Sequence, residues 1–247
     1  MEVHHHPHVE KKNFKEYFLE FIMIFLAVTL GFIAENIREG ISEKHTAKEL
    51  ASSLYNDLKR DTAAMNKIAV FRNNKEKTLN NLFEILKQNP KKINASLFFQ
   101  LIIPTFSTDD FSKRQSTGTI TQLKNAGYLR YYTHTGIPLA LARYESSINS
   151  LFSMERLEEQ ETYNNGIRFL KEEIDPTLFN AGYGNENISK DADISPVNPN
   201  AFRLLYGNCV VIGILNRNIN HHFLLTTKKN AVDLITILKK EYHLENE

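Results

Sequence analysis

The sequence predicts an all-α protein: one N-terminal transmembrane helix continuing into a long helix and an antiparallel helical bundle. Three observations carry that prediction. An unbroken uncharged run extends from Phe21 to Ala34. Ser42 to Gln88 contains neither Pro nor Gly, while apolar residues recur at helical spacing. No stretch keeps up the apolar-polar alternation that marks a half-buried strand.

The first element is the span. Crossing a hydrocarbon core of about 30 Å takes roughly 20 mostly apolar residues in a helix. The strict run is too short for this, but extending it to Tyr17, Phe18 and Leu19 at the front and Ile37 at the back supplies the length. Glu20 and Glu35 then fall near the two interfaces, where ionisable groups cost less than at the bilayer centre. Lys11, Lys12 and Lys15 provide the basic start of a signal sequence. No small-x-small cleavage site follows the apolar run, and Glu35-Asn36 leads into a charged helical continuation, so an uncleaved signal anchor is expected. Glu20, Ile24, Ala27, Gly31 and Glu35 recur at spacings of four and three and share one face. Small residues four apart let membrane helices approach closely, so Glu20, Ala27, Gly31 and Glu35 are the candidate membrane-helix interface.

Beyond the span, Leu50, Leu54, Leu58, Met65, Ile68, Leu79, Leu82 and Leu86 mark a long amphipathic helix. Gly40 is the only weak point between the two, so they are expected to run on as one rod, ended by Asn89-Pro90. Asn94 is placed to cap a short helix that stops before Pro104. Ser116 to Ala126 reads as another, with Gly127 as its stop. After Thr135, the residues Leu141, Tyr144, Ile148 and Leu151 keep the helical period toward Ile174, with Asn164-Asn165-Gly166 as an interruption. Residues 180–200 concentrate Gly, Pro, Asn and Asp and read as a long loop, the leading contact surface outside the membrane. Leu205, Cys209, Ile212, Leu215, Ile219 and His222 mark a third long helix, and Val232, Ile235, Leu238 and Tyr242 a fourth. The expected organisation is a tail at 1–15, a transmembrane helix at 16–38 and a helical-bundle domain at 39–247.

This order of parts resembles an uncharacterised family of single-span membrane proteins of Bacteroidota. The resemblance rests on Phe21 to Asn36 in the span, Glu49-Leu-Ala-Ser-Ser-Leu-Tyr-Asn-Asp-Leu-Lys-Arg-Asp61 in the long helix, and Thr119-Ile-Thr-Gln-Leu-Lys-Asn-Ala-Gly-Tyr-Leu129. It implies an architecture and an envelope location, and no activity.

Composition narrows the function classes. The formal charge is +1 and the mean hydropathy −0.37, so there is no strong basic field overall and no nucleic-acid partner is expected. Cys209 is the only cysteine, which excludes an internal disulfide, and its apolar setting reads as a buried, inert thiol. His4, His5, His6 and His8 are close enough to bind a transition metal, since imidazole suits Zn, Ni and Cu. A tail broken by Pro7 offers no fixed scaffold for a closed site, so the cluster reads as a polar tail. His221 and His222, adjacent on a helix, point about 100° apart, and one packed and one solvated ring is expected. Glu155, Glu158, Glu159 and Glu161 lack a His at the Glu-x-x-His spacing of di-iron bundles and read as a solvated face. Phosphate-loop, nucleophile-elbow and zinc-protease motifs are absent. No catalytic activity and no cofactor is expected. The expected partners are the lipid bilayer and either self-association or another envelope protein. The expected location is the inner (cytoplasmic) membrane, single-pass, with the N-terminus cytoplasmic and the C-terminal domain periplasmic: Lys11, Lys12 and Lys15 against Arg38, Lys44 and Lys48 give only a slight positive-inside bias, and a long C-terminal domain can be translocated regardless of its own charge. The alternative is a periplasmic ligand-sensing bundle that signals through a membrane partner.

Overall fold

The computed structural model describes residues 13–184 and 188–244, with the backbone alone at Tyr183. It divides into two compact units, Met1–Glu49 and Leu50–Glu247. Helix α1, Phe14–Leu86, passes through both without a break at Gly40. At its start Glu16 reaches back to accept from the Asn13 N–H at 3.1 Å.

In the first unit α1 stands without a core of its own. None of its most apolar stretch is buried, and the helix is long and apolar enough to cross a membrane. Ile24 and Phe32 are about two-thirds exposed. Glu20, Ala27, Gly31 and Glu35 lie on this stretch of helix, and a Cβ added at Gly31 would meet nothing within 4 Å. Glu35 accepts from Arg38 Nε at 2.9 Å, an exposed pair one turn apart.

In the second unit three long helices make the bundle. The rest of α1 supplies Leu50, Leu54, Leu58, Met65, Ile68, Leu79 and Leu82, all buried at the expected spacing. The short helix α2, Ala95–Thr105, is capped by the Asn94 side chain accepting from the Leu97 N–H at 3.0 Å. It runs one turn further than expected, carrying Pro104 in its last turn. Helix α3, Gly118–Asn125, ends where Gly127 takes φ 66°, the left-handed conformation that glycine adopts without strain.

Helix α4, Ile137–Glu161, does not stop at Asn164-Asn165-Gly166. It widens into a π-helical turn, Thr162–Ile167, and continues as α5, Arg168–Glu173. Gly166 is required there by contact, since an added Cβ would sit 2.6 Å from the Phe106 ring. Helix α6, Pro176–Tyr183, takes up the first residues of the stretch expected as a loop. Residues 188–200 are irregular but tied down, with Ile194 buried in the core and the Val197 N–H donating to the Glu173 carbonyl at 3.1 Å.

The two last helices expected from sequence are one continuous structure. Helix α7, Ala201–Asn218, passes through a second π turn, Ile219–Phe223, into α8, Leu224–Tyr242. The wider turn adds a residue to the period and re-phases the apolar stripe, which the sequence shows as two separate patterns. Among the described residues there is no strand.

Paired residues fix the directions. Asp61 meets Tyr144 and Lys75 meets Glu158, so α1 and α4 run parallel. Arg72 meets Asn216 while Lys239 lies over the Tyr55 ring, so α7–α8 runs antiparallel to α1. Thr227 bonds to Ser147 and Asn230 to Arg143, which makes α8 antiparallel to α4. A parallel α1 and α4 require the chain between them to return along the bundle, and residues 87–136 do this. They leave the core of Leu82, Phe98 and Phe202 at one end and reach Tyr132, packed on Tyr242, at the other.

Candidate functional site

The seam positions of α1 run Met65, Ile68, Arg72, Lys75, Leu79, Leu82, at spacings of three and four. Arg72 and Lys75 thus occupy places the pattern reserves for apolar residues, and both are buried, at 0 and 2% exposure. The same substitution occurs on α4, where Leu151 is followed by Glu155 and Glu158, exposed by 2 and 0%. On α7, Ile212 is followed by Leu215 and a fully buried Asn216. Three helices exchange apolar for polar side chains at one level, which makes a buried charged layer.

The geometry pairs these charges with one another and leaves the Arg72 Nε without a bond. Arg72 donates to Glu158 at 2.8 Å, to Asn216 at 3.3 Å and to Asp110 at 3.4 Å. Lys75 donates to the other oxygen of Glu158 at 2.8 Å and to the Ser107 carbonyl at 2.9 Å. Asn216 returns a bond to the Arg72 carbonyl at 3.1 Å. Asp110 also accepts from Lys113 at 3.0 Å. Burial works against the Glu158 charge, but Lys75 and Arg72 outweigh it and hold the carboxyl below its ordinary range.

The acids next to this pair serve the returning chain. Glu155 accepts the backbone N–H groups of Phe111 at 2.7 Å and Ser112 at 3.1 Å. Asp61 accepts the Ser116 N–H at 2.8 Å and the Tyr144 hydroxyl at 2.7 Å. Irregular backbone laid into a helical groove has no ladder to join, and a buried N–H left alone is costly. These carboxylates supply the acceptors. Burial raises Glu155 above its ordinary range and the nearby Asp110 charge adds to this, against the pull of its two backbone donors. Asp61 is also raised by burial, against its bonds to Ser116 and Tyr144. Tyr144 is pushed upward by burial and by the Asp61 charge it faces.

This layer corrects the expectation that Glu155, Glu158, Glu159 and Glu161 form a solvated face. Glu155 and Glu158 are core residues, whereas Glu159 is exposed and Glu161 half-buried. The reason for Glu158 is the pair of cations on α1, more than eighty residues away in sequence, and for Glu155 the backbone donors of Phe111 and Ser112. The histidine pair is corrected as well. His221 and His222 are both exposed, the first 3.5 Å from Glu76 and the second edge-on to Phe223. Cys209 is fully buried, and burial pushes its thiol up to about 12. His4, His5, His6 and His8 lie outside the described residues. Among the described residues no three His, Cys, Asp or Glu side chains group to hold a metal ion.

One concave surface lies apart from the layer. A groove of about 480 Å³ runs between α4 and α8, bordered by Arg143, Ser146, Ser150, His222, Thr226 and Asn230. Small side chains on α4 open it, while the Asn230 bond to the Arg143 carbonyl ties its two walls.

No family model, no curated protein and no solved structure matches the chain.

Proposed function

We propose that this chain is a membrane-anchored helical-bundle protein of the bacterial envelope, acting as an interaction or assembly module and carrying out no catalysis. Residues 16–38 anchor it in the inner membrane, the N-terminal tail lies in the cytoplasm and the bundle lies in the periplasm. The observation that carries this reading is an unburied helix long and apolar enough to cross a membrane, in a chain whose second unit has a core of its own. Apolar surface of that extent needs lipid or a protein partner. The buried charges support it too: they are spent on one another and on the returning backbone, which fits a scaffold.

Assembly is tested on the purified full chain in detergent, by light scattering across protein concentration, with Gly31→Leu beside the native chain. The account expects an oligomer that Gly31→Leu weakens, because a bulky side chain at 31 holds facing helices apart. A strict monomer at all concentrations contradicts self-assembly. The groove between α4 and α8 favours a second reading, a ligand-sensing bundle, since its volume lies in the range of small-molecule sites.

A further inference from the structure

The groove between α4 and α8 belongs to neither the core nor the charged layer. Its α4 wall is built from Ala142, Arg143, Ser146 and Ser150, which recur at spacings of three and four and so share one side of the helix. The facing wall is His222, Phe223, Thr226 and Asn230. His222 and Phe223 belong to the π turn Ile219–Phe223, a geometry found frequently at functional sites. Both border the groove from this turn, the imidazole edge-on to the phenyl ring at 4.9 Å.

The polar groups of these walls favour an anion. No acid is among the described residues that border the groove, whereas Arg143 is, and its guanidinium has no partner among the described residues. The hydroxyls of Ser146 and Thr226 are likewise unbonded among the described residues. Those of Ser147 and Ser150 already donate to the carbonyls of Tyr144 at 2.7 Å and Ser146 at 3.1 Å. Across Ala142, Ser146 and Ser150 a second depression reaches Lys124, but Glu145 pairs with that cation at 2.9 Å. Arg143 is therefore the cation left to a ligand, and Phe223 and Ala142 supply apolar surface beside it.

We propose that this groove binds a small organic carboxylate, its charge held by Arg143 and its apolar body laid against Phe223. A guanidinium meets a carboxylate through two parallel N–H bonds, which recognises the planar acid and orients it. The hydroxyls of Ser146 and Thr226 add donors for its oxygens. The volume, about 480 Å³, admits an acid with an aromatic or short aliphatic body. The proposal rests on the ligand-sensing reading and deepens it by naming the class of ligand such a bundle takes.

The test uses the full chain in detergent, with Ser150→Cys as the reporter in the groove and Thr121→Cys on exposed α3 as its control, Cys209 being buried. Modification of each cysteine by a neutral maleimide is timed with millimolar benzoate, hexanoate or indole acetate. The expected result is slowing of about fivefold at 150 by at least one of these acids, as occupancy of the site demands. No slowing is expected at 121, and Arg143→Gln is expected to remove the effect at 150. Equal slowing at 150 by benzyl alcohol, or by inorganic phosphate, overturns the recognition of a carboxylate with an apolar body. Protection that survives Arg143→Gln, equal slowing at 121, or no slowing by any of the three acids also overturns the proposal. An acid that raises the melting temperature while 150 stays unprotected overturns this site and leaves ligand sensing standing elsewhere in the bundle. Unchanged melting together with no protection contradicts both.

Discussion

Glu155 and Glu158 sit one turn apart on α4, both buried, and their environments push them in opposite directions. Glu158 is lowered in the folded state, so its contribution to stability is present above its unfolded pKa and fades as pH falls through the folded one. Glu155 is raised, so the folded state binds its proton first, and its contribution is complete below the unfolded pKa and lost as pH rises through the folded value. Chemical unfolding of the full chain in detergent, from pH 7 to pH 3.5, should therefore show opposite trends against the neutral variants. The advantage of the native chain over Glu158→Gln shrinks with acid, while its stability relative to Glu155→Gln improves. Parallel trends would show that the two carboxyls share one environment.

How far these residues were legible is a question of period. The sequence displays Arg72 and Lys75 at the seam positions between Ile68 and Leu79, and Glu155 and Glu158 at the positions after Leu151. Counting apolar residues alone passes over them, because a charged residue at a seam position becomes informative only when its partner is known. That partner lies on another helix, as the 2.8 Å bond from Arg72 to Glu158 illustrates. Cys209 was readable without a partner, since its apolar neighbours recur at helical spacing and burial alone sets its chemistry.

The returning segment between α1 and α4 is the element the sequence concealed. Its caps and stops were readable at Asn94 and Gly127, where side-chain chemistry and a positive φ are local. Its path was not readable, because it depends on backbone donors at Phe111, Ser112 and Ser116 meeting acids on two other helices. The π turns were hidden for a similar reason: Asn164-Asn165-Gly166 marks a disturbance, but helix continues through it because Gly166 accommodates Phe106.

Glu158→Leu alone leaves Arg72 and Lys75 buried without their shared acceptor and should cost about 3–5 kcal/mol. Adding Arg72→Met and Lys75→Met removes the stranded charges and should recover most of that loss. Amide exchange at Phe111, Ser112 and Ser116 should stay slow in the triple variant, because Glu155 and Asp61 hold those groups. A triple variant as unstable as the single one would show that the layer acts through more than charge balance.

For the whole molecule, the two units answer different physical demands. The described residues from Leu50 to Leu244 bury an apolar core and pair the charges inside it, while the helix before Glu49 exposes an apolar surface that water does not favour. The sequence made the second fact plain, because a long uncharged run needs no tertiary information to be recognised. The side of the membrane is a finer matter, since Lys11, Lys12 and Lys15 before the span face Arg38, Lys44 and Lys48 after it and long translocated domains are insensitive to their own charge.

The central claim, a single anchor with the bundle in the periplasm, is tested most directly by reporter fusions after Glu247. One reporter is an enzyme active only in the periplasm and the other a protein fluorescent only in the cytoplasm, each followed through membrane fractionation. The account predicts periplasmic activity, a dark fluorescent fusion and the full chain in the membrane fraction. Cytoplasmic fluorescence from membrane-bound chain would reverse the orientation, and full chain in the soluble fraction would contradict the anchor itself.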